Sequence, residues 1–129
     1  SLPSTRAVRQ MYAKSFEEIR AASTPNTVMR ESAFADLLQN IYSRHSSVLL
    51  MMARSAYEAR AQLKDHTSFT QLDDIHQFLD SFYMSRIGIR MLIGQYLALR
   101  DEADSDYVGL VSQHCSPAHV ATAAMEDAK

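Results

Sequence analysis

The stretch RESAFADLLQNIYSRHSSVLLMMARSAYEARAQL, residues 30–63, decides the fold, because it holds 34 residues without one glycine or proline. Along it Phe34, Leu37, Leu38, Ile41, His45, Val48, Leu49, Met52 and Ala56 recur at three-and-four spacing, the mark of one apolar helix face. At 1.5 Å per residue such a helix is a rod of roughly 50 Å. On its N-terminal side Val8, Met11, Tyr12, Ser15, Phe16 and Ile19 predict a first helix from an N-cap at Ser4 to about Ala22, stopped by the Ser23-Thr24-Pro25-Asn26 turn. On its C-terminal side, after a connection at 65–70, Leu72, Ile75, Leu79, Phe82, Arg86, Ile89, Ile93 and Tyr96 predict a third helix to about Arg100. Residues 101–106 are acidic and irregular, and Tyr107 to Val111 reads as a short extended piece with no evident pairing partner. Ser116 followed by Pro117 starts a last, small-residue helix with Val120, Ala123, Ala124 and Ala128. The expected fold is all-α, an antiparallel four-helix bundle with long second and third helices, in one domain over residues 1–129.

Composition agrees. Three glycines in 129 residues leave little backbone for tight turns or phosphate loops, and 47% apolar with 22% charged residues is enough material for a single core. The net charge of −2 gives no general attraction to phosphate backbones, so nucleic acid is disfavoured as a partner. Charge is uneven, about +3 over residues 1–60 and −5 over 61–129, so an anion site must depend on a few placed arginines. The lone Cys115 forms no internal disulfide. The longest uncharged run, 107–125, carries too many polar residues to span a bilayer. A start at Ser-Leu-Pro-Ser and an end inside a helix read as a piece of a longer protein.

Few residues carry chemistry. His45, seven residues after Leu38 and seven before Met52, points inward and needs a hydrogen-bond partner. From spacing alone a structural histidine is favoured over a functional one, and Arg44 beside it is expected to point elsewhere. Arg86 occupies the position shared by Leu72, Leu79 and Ile93, with Arg90 one turn later. A buried arginine needs a partner. Asp36, Glu58 and Asp80 are candidates, and otherwise the two guanidiniums suit a small carboxylate ligand. Tyr12 and Ser15 add hydroxyls to that region or serve only as packing. Met51, Met52, Met84 and Met91 read as core filler. His114, Cys115 and His119, or Asp73 with His76, offer ligand types without a complete set, so no metal site is expected. No glycine falls in a nucleotide-binding pattern and no serine in a nucleophile elbow.

The run IHQFLDSFYMSRIGIRMLIGQ, residues 75–95, resembles closely the signature of mitochondrial pyruvate dehydrogenase kinases, with branched-chain 2-oxo acid dehydrogenase kinases as near relatives. Tyr12-Ala13-Lys14-Ser15-Phe16, Arg44-His45-Ser46-Ser47-Val48, Met51-Met52-Ala53, Ser116-Pro117 and Glu126-Asp127-Ala128 match in the family's order. The segment 82–90 and the Ser-Pro helix look most like pyruvate-type kinases of plants and protists.

The resemblance implies the N-terminal regulatory and docking bundle of an ATP-dependent protein serine kinase of the mitochondrial matrix. The parent, a homodimer, would phosphorylate the dehydrogenase alpha subunit and bind the lipoyl domain of the acyltransferase core. ATP and magnesium would belong to a C-terminal nucleotide-binding domain, so this part alone would hold no cofactor and catalyse nothing. By the same resemblance His45 would contact the catalytic glutamate across the domain boundary. Tyr12, Ser15, His45, Arg86 and Arg90 would line a pocket for pyruvate or dichloroacetate. Tyr42 departs from a usual basic residue near that pocket, and Leu50 and Ser55 replace a usual proline and glycine, which predicts a straighter second helix. Rival readings are a branched-chain kinase bundle, a histidine-kinase-like dimerisation bundle with His45 as phosphoacceptor, and an interaction bundle without a ligand.

Overall fold

A computed structural model describes residues 2–62, 73–101 and 106–128. The expected connection at 65–70, the apolar Leu72 and most of the acidic stretch after Asp101 lie outside them. The fold is all-α. Its elements are α1 (Pro3–Ala21), α2 (Val28–Arg44), a 3-10 turn (His45–Ser47), α3 (Val48–Gln62), α4 (Asp73–Arg100), the strand pair β1 (Tyr107–Val108) and β2 (Val111–Ser112), and α5 (Pro117–Asp127). The packing divides them into two compact units, residues 1–93 and 94–129.

In the first unit α1 packs along α3 and, less extensively, along α2. Val8, Val48 and Met52 form the core, with Met11, Tyr12, Met51, Leu79, Phe82 and Tyr83 packed against them. Each such apolar side chain contributes about 1.5–3 kcal/mol when fully buried. Val48, wholly removed from solvent, anchors the cluster.

The sequence placed the helix ends less well than the helices. The start of α1 is capped at Leu2, not Ser4. Ser4 lies inside the first turn, where its N–H and hydroxyl both donate to the Glu58 carboxylate at 3.2 and 2.7 Å. A long-range acceptor thus takes the group that would otherwise have capped the helix. Thr27 caps α2 as an ordinary N-cap, accepting from the Arg30 N–H.

The expected rod over 30–63 is not continuous. At His45 the Val48 N–H closes an i+3 bond onto the His45 carbonyl, so α2 and α3 are separate helices. The interruption precedes Leu50 and Ser55, both of which lie within α3. Counting the interrupted rod once leaves the four expected helices. A 3-10 turn advances about 120° per residue against about 100° in an α-helix, so three residues displace the buried face by about 60°. The buried set nonetheless keeps its spacing across the turn: Leu38, Ile41, His45, Val48, Met52 and Ser55 are buried, whereas Leu49, expected on the inner face, is half exposed. Ser55 meets Thr5 through a hydroxyl pair. Other expected core residues also face outward, among them Phe16, Ile19, Ile89, Met84 and Met91.

In the second unit the extended piece after Asp106 pairs with itself. Tyr107 lies opposite Ser112 and Val108 opposite Val111, joined by Gly109-Leu110. Gly109 takes φ +62°, the left-handed geometry that a two-residue hairpin requires at its first turn position. Gln95 holds this turn: its Nε2 donates to the Val108 carbonyl at 3.0 Å, and the Leu110 N–H donates to its Oε1 at 2.7 Å. A Cβ on Gly109 would collide with that amide. As predicted, Ser116 caps α5, accepting from the His119 N–H, with Pro117 in the first turn.

Among the described residues no helix is long and apolar enough to cross a membrane, and no group of three or more His, Cys, Asp or Glu could hold a metal ion.

Candidate functional site

The five predicted site residues come from three elements of the first unit: Tyr12 and Ser15 from α1, His45 from the 3-10 turn, Arg86 and Arg90 from α4. Ser15, His45 and Arg86 are buried. His45 faces inward and finds its partner in Ser15, whose Oγ lies 2.9 Å from Nε2. The Tyr12 ring meets the imidazole edge-on with centroids 4.4 Å apart, and meets Phe82 edge-on at 5.7 Å.

The two arginines have no carboxylate partner among the described residues. Asp36 and Asp80 are exposed, while Glu58 is taken by Ser4 and Arg54. Arg86 Nη2 donates to the His45 carbonyl at 3.3 Å, and its Nε is buried without a partner. Arg90 Nη1 donates to the Tyr42 carbonyl at 3.2 Å, and its guanidinium stacks on the Tyr42 ring, 3.8 Å from the centroid. Two residues one turn apart on α4 therefore serve two main-chain carbonyls next to the helix interruption. The Arg86 bond supplies a physical reason for that interruption, since a tertiary donor at the His45 carbonyl competes with regular i+4 bonding. Three consecutive polar side chains, His45 to Ser47, weaken the helical alternative further.

Burial pushes the Tyr12 phenol up, and the charges of Arg86 and Arg90 partly oppose it. His45 is pushed down, first by burial. A bond to the Met11 main-chain carbonyl opposes this, and Arg44, Arg86 and Arg90 push it lower still. The imidazole is accordingly neutral at neutral pH.

A cleft of about 670 Å³ opens between α1, α3 and α4. Apolar side chains such as Val8, Met52, Phe78 and Phe82 dominate its lining, which also includes Arg9, Tyr12 and Arg86. Ser15, His45 and Arg90 are not on its wall. Tyr12 and Arg86 thus link the cleft to the buried pair Ser15–His45.

Arg44 does not point away from this region. Its Nη1 donates to the same Ser15 Oγ at 3.1 Å, and its guanidinium grips Glu18 with two bonds of 2.7 and 3.1 Å. The pair holds the Glu18 carboxyl below the usual carboxylate range, chiefly through the hydrogen bond from Arg44. Arg44 ends α2, before the turn, and its long side chain reaches α1, which spacing along one helix does not show. Glu18, three residues after Ser15 on α1, was the available signal.

Residues 1–112 match the family model described as mitochondrial branched-chain alpha-ketoacid dehydrogenase kinase. The chain is also similar to a mitochondrial [pyruvate dehydrogenase (acetyl-transferring)] kinase of Arabidopsis thaliana, 40% identical over 98% of this chain and 34% of the relative. The corresponding kinase of Schizosaccharomyces pombe is 41% identical over 81% of this chain and 24% of its own length. A probable mitochondrial kinase of the same name from Caenorhabditis elegans is 33% identical over 99% of this chain and 32% of its own length. The chain therefore spans about a third or less of these relatives.

Proposed function

Because the chain belongs to the mitochondrial 2-oxo acid dehydrogenase kinase family, we propose that it is the regulatory bundle of a pyruvate-type member and carries a small-carboxylate site at Arg86. The parent would be an ATP-dependent kinase of the mitochondrial matrix, inactivating the pyruvate dehydrogenase complex by phosphorylating a serine of the dehydrogenase alpha subunit. Its ATP and magnesium would be held outside this chain. The names of the relatives favour the pyruvate-type reading over the branched-chain one, although the family model bears the branched-chain description.

The observation that carries the ligand site is Arg86: a buried arginine among the residues that line an apolar cleft, without a carboxylate among the described residues and with Nε unbonded. A carboxylate of pyruvate or dichloroacetate offers two acceptors to such a fork. To reach it the ligand competes with the His45 carbonyl for Arg86, so binding bears directly on the turn that holds His45. Regulation requires that the ligand prefer one of two states of the parent. Tyr42 engages Arg90 through its ring and carbonyl, which leaves Arg86 as the buried arginine open to the ligand. Tyr12 and Ser15 shape the surroundings of His45. His45, neutral and buried, is suited to hold a catalytic carboxylate by hydrogen bonding; its burial works against the phosphoacceptor alternative.

Calorimetry with dichloroacetate tests the site on the chain and on its parent. Binding that weakens at least about tenfold in Arg86→Met, the loss of one charge-assisted bond of about 1.5–3 kcal/mol, is the expected result. Equal binding by the variant, or none by the parent, overturns the proposal.

A further inference from the structure

Glu18, Arg44, Ser15 and His45 form one chain of hydrogen bonds running from a partly exposed carboxylate to a buried imidazole. Arg44 holds both Glu18 oxygens, and its Nη1 also donates to Ser15 Oγ. Ser15 Oγ in turn lies within hydrogen-bond distance of His45 Nε2. The serine hydroxyl has a single proton. An N–H from a guanidinium occupies one of its lone pairs and polarises the O–H bond, which makes the hydroxyl a better donor. Donation to Nε2 requires that this nitrogen be unprotonated, with the ring proton on Nδ1.

We propose that Arg44, locked by Glu18, is a positioning residue that acts through Ser15 to hold His45 as the neutral Nδ1–H tautomer. With Nε2 accepting from Ser15, the ring N–H that the Met11 carbonyl accepts is that of Nδ1. The other charged or titratable groups facing the ring are Tyr12 from α1 and Arg86 and Arg90 from α4. The arginines oppose a charged imidazole, but neither donates to a ring nitrogen. The Nδ1–H form is thus held from two sides, by the Met11 carbonyl at one nitrogen and by Ser15, with Arg44 behind it, at the other. A lysine at position 44 would not reproduce the two-pronged grip on Glu18 while still reaching Ser15. The significance for catalysis rests on the reading of His45 in the parent kinase: this tautomer has one N–H, that of Nδ1, so the ring would hold a carboxylate only by giving it the proton now donated to the Met11 carbonyl.

Ring-nitrogen NMR of the 129-residue chain, followed through the histidine titration, tests the assignment without any kinase assay. The His45 signals should show protonated Nδ1 and acceptor Nε2 in the wild type. Glu18→Gln and Arg44→Lys should move the ring toward the Nε2–H form, and Ser15→Ala should do so more completely, each with unchanged helical circular dichroism. A wild-type ring protonated at Nε2, or an Nδ1–H ring retained in both Glu18→Gln and Arg44→Lys, overturns the proposal. Should Arg44→Lys fail to fold, Glu18→Gln decides alone. A parent kinase of normal activity in which the tautomer has moved as expected supports this assignment and retires the catalytic reading of His45 instead.

Discussion

Two of the turns among the described residues, at Gly109 and at His45–Ser47, interrupt regular structure for different reasons. At Gly109 the reason is local: a residue without Cβ takes φ +62°, and the amide of Gln95, fourteen residues earlier, bonds both sides of the turn. At His45–Ser47 no residue has unusual geometry and none is glycine or proline. The helix changes register there beside two arginines from α4 that donate to the Tyr42 and His45 carbonyls. A break written into residue type is legible in a sequence. One that is sustained by a distant donor is not.

The contrast can be broken by substitution. Gly109→Ala should have the largest effect, about 1–2 kcal/mol, since a left-handed conformation is imposed on a residue with Cβ. Amide exchange in the hairpin should accelerate while α1–α3 remain protected; protection lost equally in both units would show that the hairpin turn is not a local device. Arg86→Met comes next, at about 1 kcal/mol or less in either direction, because replacing a buried charge by an apolar side chain of similar volume is often neutral. Denaturant unfolding measures that change, and hydrogen exchange should show the 45–47 segment drifting toward regular helical bonding once the His45 carbonyl is released. An unaltered turn would remove Arg86 as its cause.

The smallest effect is one of pH. His45 has a folded-state pKa below its ordinary 6.5, first through burial. The unfolded chain therefore takes up a proton more readily. The stability contributed by the neutral ring is fully present above pH 6.5 and is lost as pH falls toward the folded-state value. His45→Gln should flatten that slope in unfolding experiments conducted across the range. A variant with the same slope as the wild type would assign the effect to another group.

Much of the site was legible. The inward histidine at 45 and the arginine on the apolar stripe at 86 follow from seven-residue spacing, and both are buried. Tyr12 and Ser15 follow from the same face of α1. Arg44 was not legible because its partners, Ser15 and Glu18, lie on another helix, and Ser4 was not because a strong local cap signal is outweighed by Glu58, far along the chain. The partners of the arginines were sought among carboxylates, whereas the structure supplies main-chain carbonyls, which carry no residue signature. Exposed Met84, Met91 and Ile89 show that apolar periodicity alone does not select which face of α4 is covered.

By itself the sequence determined the all-α class, the α5 cap at Ser116-Pro117 and the identities of the inward-facing polar residues. These depend on side-chain period and on residues that cap or start a helix, which act over a few positions. Only the tertiary structure decided where the long helix breaks, which groups neutralise or serve the buried cations, and that Arg44 reaches Ser15. Those outcomes depend on donors and acceptors brought together from α1, α2 and α4, and their competition with the regular backbone bonds is settled by packing rather than by any local run of residues.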